Sequence, residues 1–367
     1  MRVQEVRIIN YRNYEDILLE FHPKINLFIG ENAQGKTNLL ESIYLCGLGK
    51  SFRNNKDQEL INIDKNQAYI RTNVKKKDRN VKIELKLQKE KKKQVKVNGI
   101  ITTKYSELLG NLNIVLFSPE DLKIVKEGPS ERRRFIDNDI SQIFPKYHYL
   151  TAQYNKVLQQ RNKLLKSRHT SQVDLEVWNE QLSSYGSEII IYRKQFIKKL
   201  SILAKLMHRR ITQEKENLSI KYESNVKING LEDKNDIKIN FLENLKSRYK
   251  DERYRGVTLV GPHRDDIKFF INNMEVKRFG SQGQQRTTVL SLKLSELELI
   301  KGEVGEYPIL LLDDVMSELD ESRQKYLLMH LKNIQTFITT TNVEQCHLKE
   351  DDIYETFKII KGKVYRK

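Results

Sequence analysis

The chain has 367 residues, 38% hydrophobic and 31% charged, enough apolar material for a real core under a heavily charged surface, as one large domain with an insertion or as two domains. A formal net charge of +17 points to a polyanionic partner, nucleic acid ahead of an anionic membrane face. Cys46 and Cys346 stand in no metal-ligand or CxxC spacing and no apolar stretch approaches the ~20 residues of a membrane helix, so a disulfide-free, soluble, cytoplasmic protein without a membrane partner is expected.

In chain order, VQEVRIINY alternates apolar and polar residues, EDILLEF follows, and INLFIG is an apolar run entering a glycine loop, so the first thirty residues read as β structure. NLLESIYLCGL (38–48) has a helical pattern. AYIRTNVK, RNVKIELKLQ and QVKVNGIIT read as hairpin strands, the last with an Asn98-Gly99 turn. Lys75-Lys76-Lys77 and KEKKK (89–93) fall at solvated tips. After NIVLFSPEDL the pattern turns helical: Tyr147, Leu150, Tyr154, Val157 and Leu164, then Trp178, Leu182, Tyr185, Ile189, Tyr192, Phe196, Leu200, Leu203, Met207 and Ile211. Steps of three and four residues mark one face of a long helix. At about ten turns it suits an internal helical hairpin better than an intermolecular coiled coil. β signals return in GVTLVGPHRDD and IKFFINNMEV, before a helix (282–300), the strand PILLLDDV, another helix and the strand TFITTTN. The expectation is an α/β domain, residues 1–119 and 251–367, split by an α-helical insertion over 120–250.

Three motifs carry chemistry. GENAQGKT, comprising Gly30, Glu31, Asn32, Ala33, Gln34, Gly35, Lys36 and Thr37, matches the phosphate-binding loop G-x-x-x-x-G-K-[ST] between a strand and a helix. Its glycines let successive N–H groups face phosphate oxygens, Lys36 adds a point charge at the β- and γ-phosphates, and the Thr37 hydroxyl can ligate Mg²⁺. The helix that starts there contributes its positive dipole end. PILLLDDV is a buried parallel strand ending in Asp313 and Asp314, expected on opposite sides: one to hold Mg²⁺ through water, the other to polarise an attacking water. FGSQGQQR (279–286) on its own is a glycine turn with a helix cap.

INYRNY, GENAQGKTNLLE, LFSPEDL, GPSERRRFID, GPHRDD, GSQGQQRT and LLLDDVMSELD, in that order from residue 9 to 320, resemble the RecF family of bacterial DNA repair proteins. The resemblance implies an ABC-type P-loop ATPase head with an antiparallel β lobe, interrupted by the helical insertion. It implies that Gly30 through Thr37 bind ATP, that Thr37 and Asp313 hold Mg²⁺, and that Asp314 is the catalytic base alongside Lys36. Asp in place of the usual Glu suggests a slow hydrolase that acts as a switch. Ser281, Gly283 and Gln284 match the signature that faces the nucleotide of a partner copy, Ser317 to Asp320 match the D-loop, and Arg12 lies where a side chain often stacks on adenine. Two features depart from the ABC pattern: LFSPEDL offers Glu120 and Asp121 where a Q-loop glutamine is usual, and ITTTN gives Thr340 and Thr341 where a switch histidine is usual.

The same resemblance implies an ATP-dependent homodimer on double-stranded DNA or on junctions between single and double strands. Its role would lie in gap repair, replication-fork maintenance and the SOS response to DNA damage, with RecR as mediator and RecO and RecA downstream. Arg132, Arg133 and Arg134 are candidate DNA contacts or, equally, partners of acidic groups; Lys56, Lys75 and Lys76 are further candidates. An SMC-like architectural ATPase, which needs longer coiled-coil arms, is the alternative. A transporter subunit is a third reading, disfavoured by the charge and by GPHRDD.

Overall fold

A computed structural model describes residues 1–53, 56–167, 171, 173–228, 230, 233–342 and 354–366. They fall into two compact units, 1–122 with 286–367, and 123–285.

The first unit opens with a hairpin of β1 (Arg2–Tyr11) and β2 (Tyr14–Glu20). The apolar run before the glycine loop is β3 (Ile25–Ile29), and α1 (Lys36–Leu48) follows the loop, buried on nearly every side. β4 (Gln67–Lys75), β5 (Asn80–Gln88), β6 (Gln94–Val97) and β7 (Ile100–Ile101) extend the hairpin into an antiparallel sheet of order β2-β1-β4-β5-β6-β7. Its alternation is clean: Val81, Ile83, Leu85 and Leu87 of β5 are buried between half-buried or exposed polar residues. Asn98 and Gly99 take φ of 51° and 82°, the positive pair that a two-residue turn needs to match strand twist. β8 (Ile114–Phe117) ends this first passage through the unit.

The chain then forms α2 (Leu122–Lys126), α3 (Pro129–Ile143), α4 (Pro145–Lys166), the 36-residue α5 (Glu176–Ile211), β9 (Leu218–Glu223), α6 (Lys234–Arg255), β10 (Asp266–Ile271), β11 (Met274–Glu275) and α7 (Val276–Phe279). The expected helical series is the inward face of α5, with Leu182, Ile189, Phe196, Leu200 and Met207 buried against α4 and α6. At Gly186 an added Cβ would lie 2.4 Å from Cε1 of Phe241, so α6 approaches α5 through a position only glycine leaves open. The expected boundary after residue 250 differs from the observed one. Residues 251–285 stay with the helices because β10 pairs antiparallel with β9 along its full length. That sheet was hidden: only Leu218 and Ile220 of β9 are buried in a stretch otherwise polar, and GVTLVGPHRD forms a loop and a short 3₁₀ turn before β10.

α8 (Gln282–Val304) crosses the unit boundary, and the chain returns through β12 (Ile309–Asp313), α9 (Glu321–His330), β13 (Thr336–Thr340), β14 (Tyr354–Ile360) and β15 (Lys363–Arg366). The second sheet of the first unit has order β15-β14-β3-β13-β12-β8, parallel except at β15. The two sheets share one core with α1, including Phe21, Phe28, Phe337 and Phe357, the Phe21 and Phe337 rings meeting edge to face at 4.9 Å. Cys46 lies buried there, whereas Cys346 falls outside the described residues. No helix of the described residues is long and apolar enough to cross a membrane.

One buried ion pair ties the second unit together. Arg161, fully buried, donates to Glu252 at 2.6 Å, to Thr258 at 2.8 Å and to Asn179 at 2.7 Å, joining α4, α5, α6 and the loop after α6. Removing one member leaves a buried charge without compensation, whereas replacing both with apolar residues does not. In urea unfolding, Arg161→Ala is expected to lose about 3–5 kcal/mol, and Arg161→Met combined with Glu252→Leu to regain most of it.

Candidate nucleotide site and signature

Because β3, β13 and β12 run parallel in register, their carboxyl ends lie at one level: Ile29 beside Thr340, and Thr339 beside Asp313. The glycine loop leaves β3 at this edge. Gly30 passes so close to β14 that a Cβ would sit 2.4 Å from the carbonyl oxygen of Ile359, and Gly35 takes φ of 119° with its Cβ position 2.6 Å from Asn13 Nδ2. Both glycines are therefore required by the path of the backbone. Lys36, buried, curls back so that Nζ donates to the carbonyls of Gly30 and Glu31 at 2.7 and 3.0 Å, holding a positive charge inside the loop. This backbone cradle with its internal cation fits a polyphosphate.

Across the edge, Thr37 Oγ1 donates to Asp313 Oδ1 at 2.9 Å, and Thr339 Oγ1 lies 3.0 Å from the same oxygen. Burial pushes the Asp313 carboxyl above its ordinary pKa, with the neighbouring Asp314 charge adding to it while the two hydroxyls oppose. A buried carboxylate and a threonine hydroxyl side by side are a fitting donor set for Mg²⁺, whose charge would reverse that penalty. Asp314 does not continue the strand to its opposite face as expected. Its φ of 52° starts a 3₁₀ turn, its N–H donates to Thr339 Oγ1 at 2.8 Å, and its Oδ1 lies 3.4 Å from that same hydroxyl. Asp313 and Asp314 thus flank one hydroxyl. The next turn carries Ser317, and Asp320 caps α9 through the Arg323 N–H at 3.0 Å.

Several hydrogen bonds from distant segments hold the loop. The Gln34 carbonyl accepts from Asn13 Nδ2 at 2.9 Å and from the Gly362 N–H at 3.1 Å, while its side-chain oxygen accepts from the Lys361 N–H at 2.7 Å. Asn38 donates to Asn13 at 2.8 Å, and Tyr14 donates to the Gly35 carbonyl at 2.9 Å. The loop is therefore clamped between the β1–β2 turn and the β14–β15 turn. Arg12 is anchored: it donates to both oxygens of buried Glu41 at 2.9 and 3.0 Å and to the Glu59 carbonyl at 2.9 Å. Half-burial lowers its pKa, but Glu41 more than reverses this, leaving it above the ordinary value. Three of the five N–H groups of its guanidinium are thereby engaged. Asp121 of LFSPEDL is likewise occupied, capping its own turn at the Ser118 N–H (2.7 Å) and pairing with Lys293 (3.0 Å).

In the second unit Ser281 and Gln284 cap each other at the start of α8: Ser281 N–H donates to Gln284 Oε1 at 2.9 Å, and Gln284 N–H to Ser281 Oγ at 3.2 Å. Ser281 is exposed and Gly283 half-buried. Of the three arginines, Arg132 is buried and bidentate on Asp266 (2.7 and 3.0 Å), which assigns it to the interior of this unit. Arg133, half-buried, donates to the Asp265 carbonyl at 2.7 Å, and burial lowers its pKa. Arg134 is exposed, paired with Glu131 at 2.6 Å. Lys76 is turned in to the Gly110 carbonyl at 3.0 Å, whereas Lys56 and Lys75 are exposed.

The family model described as the RecF/RecN/SMC N terminal domain matches residues 2–364. DNA replication and repair protein RecF of Alkaliphilus oremlandii is 60% identical over 364 residues, covering 99% of this chain and 100% of that protein. The protein of the same description from Clostridium kluyveri is 47% identical over 100% of both. A solved structure of the recombination mediator protein RecF with ATPrS in the RecFOR pathway superposes with a TM-score of 0.93 at 39% identity, covering 100% of this chain and 98% of that one. An Smc head domain derived from Pyrococcus furiosus shares the fold at a TM-score of 0.57 and 16% identity, over 99% of this chain and 96% of that one. The architecture is that of RecF and of Smc head domains.

Asp313→Asn keeps an oxygen for Thr37 and Thr339 while removing a buried charge. The raised pKa means that the wild-type carboxylate costs stability as pH rises from its unfolded value through its folded one. Thermal scans at neutral pH without nucleotide are expected to show Asp313→Asn equal to or above wild type, with the added stability from Mg-ATP lost. Gly362→Val, whose Cβ would lie 2.1 Å from the Asn13 carbonyl oxygen, is expected to weaken nucleotide binding measured by equilibrium titration.

Proposed function

The chain belongs to the RecF family, and on that premise we propose that it is an ATP-gated DNA-binding clamp of replication and repair. The observation that carries the reading is the Thr37–Asp313 hydrogen bond at the mouth of the Lys36 loop, a cation site built beside a phosphate cradle. In this reading Gly30, Glu31, Asn32, Ala33, Gln34, Gly35, Lys36 and Thr37 hold the triphosphate of ATP, with Lys36 compensating its charge. Thr37 and Asp313 would hold Mg²⁺, which when bound would supply charge compensation to the phosphates. Asp314 accepts the proton of the attacking water, and its short side chain suits slow turnover, so that hydrolysis acts as a timer. Ser281, Gly283 and Gln284 present a hydroxyl and the N-terminus of α8 to the γ-phosphate on a second copy. Nucleotide then joins two chains, and hydrolysis releases them.

The partner is double-stranded DNA, or a junction where a duplex meets a single-stranded gap. With +17 per chain, binding is dominated by backbone phosphates and is independent of sequence. RecR is the expected mediator, with RecO and RecA loading downstream, in the cytoplasm. The architectural alternative fits less well: α5, at 36 residues, spans about 54 Å, short for an SMC-like arm.

Lys36→Met is expected to lose both ATP-dependent dimerisation, measured by sedimentation, and ATP-dependent retention on DNA; persistence of both defeats the clamp. Ser281→Arg is expected to bind ATP as a monomer while neither dimerising nor hydrolysing it. In titrations of duplex binding, log affinity is expected to fall linearly with log salt by close to −0.9 per phosphate contacted, and a flat response counts against a backbone mode.

A further inference from the structure

The reciprocal capping of Ser281 and Gln284 needs the glutamine held at its far end, because a free amide rotates about its side-chain bonds. Gln284 Nε2 donates to Glu216 Oε1 at 2.8 Å. The second oxygen of Glu216 lies 3.0 Å from Nε2 of His208, a residue of α5 with 0% exposure. Glu216 sits in the link between α5 and β9. Its N–H donates to Thr212 Oγ1 at 3.4 Å, and its neighbour Asn217 exchanges two hydrogen bonds of 3.0 Å with Asn272 at the β10–β11 turn. Glu216 is therefore fixed through its backbone, its neighbour and a buried ring. It also explains the residue type at 284. A capping box accepts either Glu or Gln at this place, but a carboxylate at 284 would face Glu216, whereas an amide gives it a donor. The amide further places a neutral group between Glu216 and any anion at the signature.

We infer that Glu216, backed by His208, is a positioning residue for the signature: it fixes Gln284, which fixes the turn that presents Ser281 to the nucleotide of a second copy. Ser281 Oγ accepts the Gln284 N–H and so keeps its own proton for donation. This inference rests on the proposed role of the signature between two chains.

The test is a double-mutant cycle on the full-length protein, reading ATP-dependent dimerisation by sedimentation and nucleotide affinity of the monomer by equilibrium titration. Hydrogen bonds to charged groups are worth about tenfold or more, and a two-fold pair contains two signatures, so Glu216→Ala is expected to weaken dimerisation by about a hundredfold. Monomer affinity for ATP is expected to stay at the wild-type value. The double variant Glu216→Ala with Gln284→Ala is expected to be no weaker than Gln284→Ala alone, because the carboxylate acts through that amide. Glu216→Gln, which keeps an oxygen acceptor, is expected to restore dimerisation. A purely structural contribution gives additive losses instead, and additivity overturns the inference. Wild-type dimerisation by Glu216→Ala overturns it too, provided that Ser281→Arg abolishes dimerisation. If Ser281→Arg also pairs normally, the signature reading itself fails and takes this inference with it. Should Glu216→Ala lose cooperative unfolding, Glu216→Asp, which retracts the carboxylate by one methylene, takes its place in the cycle under the same criteria.

Discussion

The parallel register of β3, β13 and β12 is the constraint on which the nucleotide site depends. It brings the end of β3, where the Lys36 loop begins, level with Thr339 on the adjacent strand and with Asp313 one strand further on. A shift of one residue would turn Asp313 to the other face of the sheet, and Thr37 would lose its partner. Every residue of β12 and β13 is buried, Thr336, Thr339, Thr340 and Asp313 among them. The uniform run Ile309 to Leu312 does not by itself distinguish one register from the next, so the polar residues at the strand ends mark it. The hydrogen bond between Thr37 and Asp313 belongs to that marking, and the raised pKa of Asp313 is the electrostatic cost of placing a carboxylate at the end of such a strand.

Around this edge the loop is held more firmly than its glycines suggest. Gln34 is bonded from two sides by elements more than 300 residues apart, the Asn13 turn and the Lys361–Gly362 turn. The loop backbone is thereby fixed at residue 34 before any anion arrives. Such preorganisation lowers the ordering that binding must otherwise supply. Arg12 and Glu41 serve the same end from the flank, tying the β1–β2 turn to α1 by a bidentate pair whose acid is fully buried.

What could be read in the sequence and what could not divide along contact range. GENAQGKT and PILLLDDV are contiguous, with fixed residue types at fixed spacing, so Lys36, Thr37, Asp313 and Asp314 stand out in the sequence as candidates. The sheet strands before residue 101 and the inward face of α5 were legible from periodicity. The contacts of Asn13, Thr339, Glu216 and Gly362 were not, because hydrogen bonds and close backbone approaches between distant segments leave no local pattern, even where the residue falls inside a quoted motif. The unit boundary was misplaced for a similar reason: β9 buries only two side chains, so the pairing that carries residues 251–285 into the second unit is invisible to hydropathy. The direction of Asp314 was misjudged because alternation holds only while the strand continues, and a φ of 52° ends it.

The charge bears on the proposed pairing in a way that composition alone conceals. Two chains brought together by nucleotide carry twice +17, and like-charged bodies of this size repel one another at moderate salt. In the proposed pair, triphosphates held between Lys36 and a partner signature would offset part of this locally. A polyanion spanning both chains offsets far more, since every phosphate contacted removes repulsion from the pair as well as adding attraction to the duplex. In the proposed clamp, dimerisation and DNA binding would be coupled through one electrostatic free energy, and such coupling is reciprocal: whatever duplex did for pairing, pairing would do equally for duplex affinity. On this reasoning no dedicated relay between the DNA surface and the nucleotide edge is required. In the proposed cycle salt concentration would set the strength of this coupling, and hydrolysis that released the partner would halve the charge facing the duplex.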